Sequence, residues 1–335
     1  MENRSEKLFD AHGRQIRDLR ISLTDRCNFR CFYCLPNGEP PLARKDTILT
    51  FEEIVEISEI FVSLGIEKIR LTGGEPLIRK DVEKLVSKIS ALKPKLKDLA
   101  LTTNGHTLKD RASDLVKSGL DRITISLDSL KQEKFKQITG VDKLDMVLDA
   151  IRSAKKSGLD PVKINAVIVR DHNDDEIVEF ARFARRHELS MRFIEFMPLD
   201  SGHEWKRGMV VSGDEIRKKI ESVFPLKIKS KSRGTETAWN YGFEDGAGGE
   251  IGIIAPVTQM FCGACSRIRL TADGQIRTCL FSNKEHNLRD VLRNASGRPE
   301  IIDFIRDITL TKEAGHQIND KKFVQPSRTM SFIGG

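Results

Sequence analysis

Hydrophobic and polar positions alternate between two periods along the first two thirds of the chain. Short runs rich in Ile, Leu and Val, bounded by turn or capping residues, recur at 19–23, 68–72, 98–102, 122–127, 162–169 and 191–195. Each reads as a strand. The segments between them read as helices. One starts at Thr50, where Thr50 and Glu53 form a capping box ahead of Phe51, Ile54, Val55, Ile57, Ile60, Phe61 and Leu64. Others cover 82–92, 107–117, 143–157 and 174–187. Six strand–helix units in series predict a parallel sheet. The pattern fits an open doubly wound sheet or a barrel.

The last third changes character. Residues 212–223 predict a helix with Ser212 and Glu215 as its capping box. A polar stretch at 229–236 is followed by strand-like runs at 237–243, 250–254 and 267–271. Asp273-Gly274 is a hairpin turn signal leading into 276–279. Helices are expected at 288–294 and 299–311, and from Gly315 on an aperiodic tail. This gives a core over residues 10–225 and a C-terminal region over 226–335.

Composition narrows the class. With 39% hydrophobic and 31% charged residues, the 335-residue chain should fold as a soluble globule. No apolar run is long enough to span a bilayer, and the first ten residues mix acids and bases without an apolar segment. The expectation is a cytoplasmic protein with no membrane association. The net charge of +7 suits a polyanionic partner. The basic residues are dispersed and lack an aromatic RNA-binding motif, so nucleic acid is not the expected partner.

The six cysteines fall into two groups of three. Cys27, Cys31 and Cys34 follow the first strand with C-x₃-C-x₂-C spacing. Three thiolates on one short loop can hold three irons of a cubane cluster and leave the fourth open. The bland alternative is a Cys₃His zinc site, with His12 as the nearest histidine in sequence. Other polar clusters fall at strand C-termini, where parallel α/β folds place their sites: Gly73-Gly74-Glu75-Pro76, Thr102-Thr103-Asn104-Gly105, Ser126-Leu127-Asp128 and Glu195-Phe196-Met197-Pro198. Glu75 or nearby carbonyls can accept from an ammonium group.

The C-x₃-C-x₂-C loop with Tyr33 before its last cysteine resembles the signature of the radical S-adenosylmethionine (SAM) superfamily. The resemblance implies that the open iron is chelated by SAM. It also implies that the amino group of SAM meets the Gly73–Pro76 segment.

The second group, Cys262, Cys265 and Cys279, has C-x₂-C-x₁₃-C spacing and is followed by Arg267-Ile268-Arg269. Zinc with His286 as fourth ligand is one reading and a second cluster with an open iron is the other. With Asp18-Leu19-Arg20, Gly252–Pro256, Leu270–Gly274 and the terminal Gly334-Gly335, this triad closely resembles the GTP 3′,8-cyclase family. That family catalyses the first step of molybdenum cofactor biosynthesis.

The family resemblance implies an α/β fold: a partial (βα)6 TIM-like radical SAM barrel whose mouth is closed by a C-terminal segment of antiparallel strands and helices. It implies two [4Fe-4S] clusters, on Cys27, Cys31 and Cys34 and on Cys262, Cys265 and Cys279. SAM contacts map to Tyr33, Gly74, Ser126 and Met197. GTP contacts map to Arg20, Arg70, Thr102, Lys163, Arg267, Ile268 and Arg269, with catalytic roles for Arg267, Arg269, Gly334 and Gly335. The implied partners are GTP, a second copy in a homodimer, an external electron donor, and cyclic pyranopterin monophosphate synthase as receiver of the product. The rival readings are a peptide-modifying two-cluster radical SAM enzyme and a zinc-stabilised nucleic-acid-binding protein.

Overall fold

The six apolar runs become six parallel strands that pair in chain order. They are β1 (Asp18–Ser22), β2 (Lys68–Thr72), β3 (Asp98–Thr103), β4 (Arg122–Ser126), β5 (Lys163–Ile168) and β6 (Ser190–Glu195). The computed structural model describes residues 7–35, 42–200 and 202–334.

Strand parity explains the shape. Successive side chains point to opposite faces. One parity, including Leu19, Ile21, Ile69, Leu71, Ile123 and Phe193, is fully buried in the main hydrophobic cluster. It packs there with Ile54, Ile57, Phe61, Leu85, Leu115, Val147 and Phe180 from the helices. Each such large side chain contributes about 1.5–3 kcal/mol by leaving water. The other parity carries Asp18, Arg20, Lys68, Arg70, Thr102, Arg122, Thr124, Lys163, Asn165 and Arg192. A doubly wound sheet buries both faces under helices and needs apolar residues at both parities. Here one face is polar, so the sheet curls around a lumen.

The C-terminal strands extend this sheet at both edges. They are β7 (Leu226–Ile228), β8 (Trp239–Phe243), β9 (Glu250–Ile254), β10 (Arg267–Leu270), β11 (Gln275–Arg277) and β12 (His286–Asn287). The order is β12-β11-β10-β1-β2-β3-β4-β5-β6-β9-β8-β7, so the barrel stays open. The antiparallel pairs are present, but the strand that joins the core on each side runs parallel: β9 to β6 and β10 to β1.

The helices are α1 (Phe51–Ser63), α2 (Val82–Ser90), α3 (Ala112–Lys117), α4 (Gln132–Thr139), α5 (Leu144–Lys156), α6 (Ile177–His187), α7 (Gly213–Glu221), α8 (Leu288–Asn294), α9 (Arg298–Leu310) and α10 (Met330–Ile333). The Thr50–Glu53 capping box is complete. At α7 it is half made: Ser212 accepts from the Glu215 N–H, but the Glu215 carboxylate pairs with Arg170 at 2.8 Å instead of returning the bond. The helix expected from 107 starts only at Ala112, because the preceding residues form turns such as Leu108 N to Gly105 O. The tail is not aperiodic throughout. Its last turn, α10, forms with Ser331, Phe332 and Ile333 buried.

Arg277 is the largest fully buried side chain. It pairs with Glu285 at 2.6 Å and donates to the Ser282 carbonyl, which folds the segment carrying Cys279. Arg277→Met leaves those acceptors without their donor. We expect a loss of about 2–4 kcal/mol in urea-induced unfolding of the full chain.

Candidate active site

Cations converge in the lumen. Arg20 lies opposite Arg269 on one side and Arg70 on the other. Asn165 lies opposite Arg192 on the next pair of strands. Like charges on neighbouring strands repel, and burial sharpens the cost. Burial, then Arg20, Arg122 and Arg192, push the Arg70 guanidinium down to about 9. Burial, then Arg192, Arg122 and Arg70, push the Lys163 ammonium down to about 7. Arg269 falls to about 10 by burial and the Arg267 charge. Few acids answer them: Asp98 is committed to Arg122, and Asp18 accepts from the Ser266 hydroxyl.

Two hydroxyls, Thr102 and Thr124, each accept from Arg70 at 3.0 Å. Arg192 is only 8% exposed, yet its Nε has no partner, and neither does the buried Oδ1 of Asn165. Orphaned polar groups in a cavity mark the place of a polar ligand. These groups face one cavity that opens to solvent. Its lining brings together Arg20, Arg70, Thr102, Met197, Arg267, Arg269, Cys262, Cys265 and Cys279. Ile268 points to the opposite face and is fully buried in the hydrophobic core, so only its backbone is offered to the lumen.

The first thiol loop sits at the C-terminal edge of the sheet. Gly74 N–H donates to Thr24 O at 2.7 Å and Glu75 N–H to Arg26 O at 2.8 Å. A methyl at Gly74 would collide with the Arg26 carbonyl, so glycine is required for this approach. Glu75 is not open to a ligand ammonium. Its carboxylate already accepts from Leu77 N–H, Thr103 Oγ1 and Asn104 N–H at 3.0, 2.7 and 2.6 Å, and burial raises it to about 7. That leaves backbone carbonyls for such a contact. Tyr33 donates to Asp128 at 2.6 Å. Ser126 ends β4 at this edge.

The three cysteines here are free thiols. Cys27 Sγ accepts from Phe29 N–H at 3.4 Å and Asn104 Nδ2 at 3.9 Å. Burial and Cys27 push Cys34 up to about 12, and burial, Asp128, Cys34 and Cys27 raise Cys31. Buried, crowded thiols of this kind would give up their protons to a metal that supplies the compensating charge. Soft donors on one loop fit three irons of a cubane.

The second thiol set precedes β10 and follows β11, at the N-terminal edge. β1 has five residues, and at about 3.3 Å each the two sets are separated by roughly one strand length, ~17 Å. Arg14 clamps this end, donating to Cys262 O and Ala314 O at 2.8 Å each and to Glu313 O at 2.6 Å. Burial raises Cys265, but Arg267, Lys312 and Arg14 outweigh it and hold the thiol below its ordinary value. His286 lies on β12 opposite Ile276 and does not line the cavity; the histidine beside these thiols is His316.

The tail reaches between the two ends. The Gly334 carbonyl accepts from Arg269, and its φ of +80° with Ser22 and Thr72 against it leaves no room for a side chain. Gly335 lies outside the described residues. Asn165, noted with Lys163 on the fifth strand, lines the cavity; Arg192, Phe261, Lys312 and His316, also in its wall, were not foreseen from sequence. Arg192 had a signal: a charge in a strand of buried apolar residues, at the lumen parity of Arg20 and Arg70.

Sequence comparison agrees with this geometry. The family model of the Radical SAM superfamily matches residues 21–184 and that of Molybdenum Cofactor Synthesis C matches residues 189–318. Streptococcus suis SuiB bound to S-adenosylmethionine aligns over 95% of this chain and 77% of its own, with TM-score 0.62 and 16% identity. Native anSMEcpe with bound AdoMet aligns over 90% of this chain and 82% of its own, with TM-score 0.57 and 15% identity. Fold and thiol loop therefore define a radical SAM enzyme, with an iron–sulfur cluster and SAM as cofactors. The GTP 3′,8-cyclase of Streptomyces coelicolor is 45% identical over 98% of this chain and 96% of its own length. That of Syntrophomonas wolfei subsp. wolfei is 43% identical over 98% and 100%. The chain belongs to the GTP 3′,8-cyclase family.

Gly74→Ala forces the two loops apart. We expect it to cost about 1–3 kcal/mol of stability and to weaken SAM binding at least tenfold in the reconstituted protein, read by equilibrium dialysis.

Proposed function

We propose that this chain is a radical SAM lyase that converts GTP to (8S)-3′,8-cyclo-7,8-dihydroguanosine 5′-triphosphate, opening molybdenum cofactor biosynthesis. The observation that carries the reading is the cation cluster, answered by few acids, in the lumen between the two thiol triads. Cys27, Cys31 and Cys34 would hold the first cluster, which together with bound SAM would supply the radical chemistry that the ribose needs.

The chain's own residues hold and orient the substrate. Arg20, Arg70, Lys163 and Arg192 face the triphosphate, with Thr102 aligning Arg70. Guanidinium forks grip phosphate oxygens in pairs, each charge-assisted bond contributing about 1.5–3 kcal/mol. Arg267 and Arg269 stand between the second triad and the tail. Arg269 fixes the Gly334 carbonyl inside the lumen, so the tail shields the reacting atoms from water. Cys262, Cys265 and Cys279 hold a second [4Fe-4S] cluster at the substrate end. Gly74, Tyr33, Ser126 and Met197 surround SAM. Residues 10–225 form the catalytic core and residues 226–335 the substrate-binding region. No helix among the described residues is long and apolar enough to cross a membrane. A cytoplasmic homodimer, reduced by an external donor and passing its product to cyclic pyranopterin monophosphate synthase, completes the reading.

The test is anaerobic incubation of the reconstituted protein with GTP, SAM and dithionite. The expected outcome is 5′-deoxyadenosine and a cyclised nucleotide, with about eight irons per chain. Formation of 5′-deoxyadenosine that is indifferent to GTP, without a nucleotide product, would refute the assignment.

Lys163 adds a pH signature. Its free value of about 7 means that it is charged below neutrality and loses its proton as pH rises. Anion binding requires the charged form, so above pH 7 the complex takes up a proton. We expect GTP affinity to fall by up to tenfold between pH 7.5 and 8.5. Lys163→Met should bind more weakly with this slope removed, as calorimetry in two buffers of different ionisation enthalpy would show.

A further inference from the structure

The lumen has a second opening at the N-terminal edge of the sheet, away from the Cys27–Cys34 loop. A smaller cavity, with about 550 Å³ of empty space, lies between the starts of β1 to β4 and residues 235–237. It shares Arg20, Arg70, Arg192, Arg267 and Thr237 with the main cavity. One wall of guanidinium groups therefore serves both.

Glu236 faces this end. Its Oε1 stands 3.7 Å from Lys68 Nζ, with the two side chains 50% and 39% exposed. Its charge also favours the protonated forms of Lys163, Arg192 and Arg122. Asp98 and Asp18 at the same edge are engaged by Arg122 and Ser266. Among the described residues, the pair with Lys68 is the one ion pair Glu236 makes. The backbone that carries it is held in place: Arg267 Nη1 donates to Thr235 O at 3.2 Å, and Arg233 lies over the rings of Phe261 and Trp239 at 4.4 and 5.5 Å. A fixed loop thus presents a carboxylate with a long, solvent-exposed ion pair. Such a pair is worth about 0–1 kcal/mol and breaks readily.

Arg70 and Arg192 line both cavities, so the terminal group of a phosphate chain gripped by them could reach this edge. We propose that Glu236 is an internal counter-ion at the terminal-phosphate end of the cavity, displaced by the substrate's tail, and that it thereby sets how strongly the site discriminates by phosphate number. This rests on the GTP reading above. The carboxylate balances the cations when no substrate is present and opposes the terminal phosphate when it arrives. Triphosphate binding is held below what the bare cations would give, while a ligand without phosphates does not sense the residue.

The test measures binding of guanosine, GMP, GDP and GTP to the reconstituted wild type and to Glu236→Gln, which is isosteric and exposed. The variant should bind GTP roughly three- to tenfold more tightly, GDP less so, and guanosine unchanged. Glu236→Ala should follow the same order, which separates charge from loop geometry. An equal effect on all four ligands, or weaker GTP binding in the variants, overturns the proposal. If the wild type prefers GTP to guanosine but the ladder is unaltered, the proposal alone fails. If the wild type binds guanosine as tightly as GTP, the GTP reading fails with it.

Discussion

Mutual repulsion among buried cations is the constraint on which this site depends. Arg20, Arg70, Arg192, Arg267 and Arg269 share the concave side of one sheet with Lys163. Burial, and after it the neighbouring cations, push Arg70 down to about 9 and Lys163 down to about 7. A fold that keeps these charges together with few acids among them is destabilised until an anion arrives. The apolar parity of the same strands opposes this cost, packing against the helices with residues such as Ile21, Leu71 and Phe193 fully buried. The core that holds the protein together thus also keeps the site strained toward a polyanion.

Strand length supplies the second constraint. One thiol triad follows β1 and the other precedes β10, and these strands lie side by side and parallel. The triads are therefore held at opposite ends of the lumen, roughly 17 Å apart by strand rise. The end of the lumen proposed for SAM and the end proposed for the substrate are thus kept apart by the sheet itself. The tail closes the space between, with Gly334 tied to Arg269 and Arg328 paired to Asp273 and Glu285 at 3.0 and 2.8 Å.

Much of this was legible in the sequence. The six strands were visible because their outward parity is uniformly apolar, and α1 because its capping box and stripe agree. The thiol spacings were visible because each triad is local. What was missed depends on contacts distant in sequence. α4 has only Phe135 and Ile138 as buried large apolar residues, too few for a period. No local signal shows that β9 and β10 would join opposite edges of the sheet. Sequence left Glu75 and the nearby carbonyls as equal candidates for an ammonium group, because it does not show Thr103 and Asn104 bonding the carboxylate. Arg192 sat inside an apolar run and carried no motif; its parity became meaningful only once the lumen face was known.

The central claim is that the cationic lumen is the seat of the substrate's phosphates. A crystal structure of the reconstituted protein with GTP tests it most directly. Triphosphate density is expected within hydrogen-bonding distance of Arg70, Lys163 and Arg192, with the base directed toward Cys262, Cys265 and Cys279. Triphosphate density at the Cys27–Cys34 edge, or on the outer surface with the lumen cations bare, would contradict it.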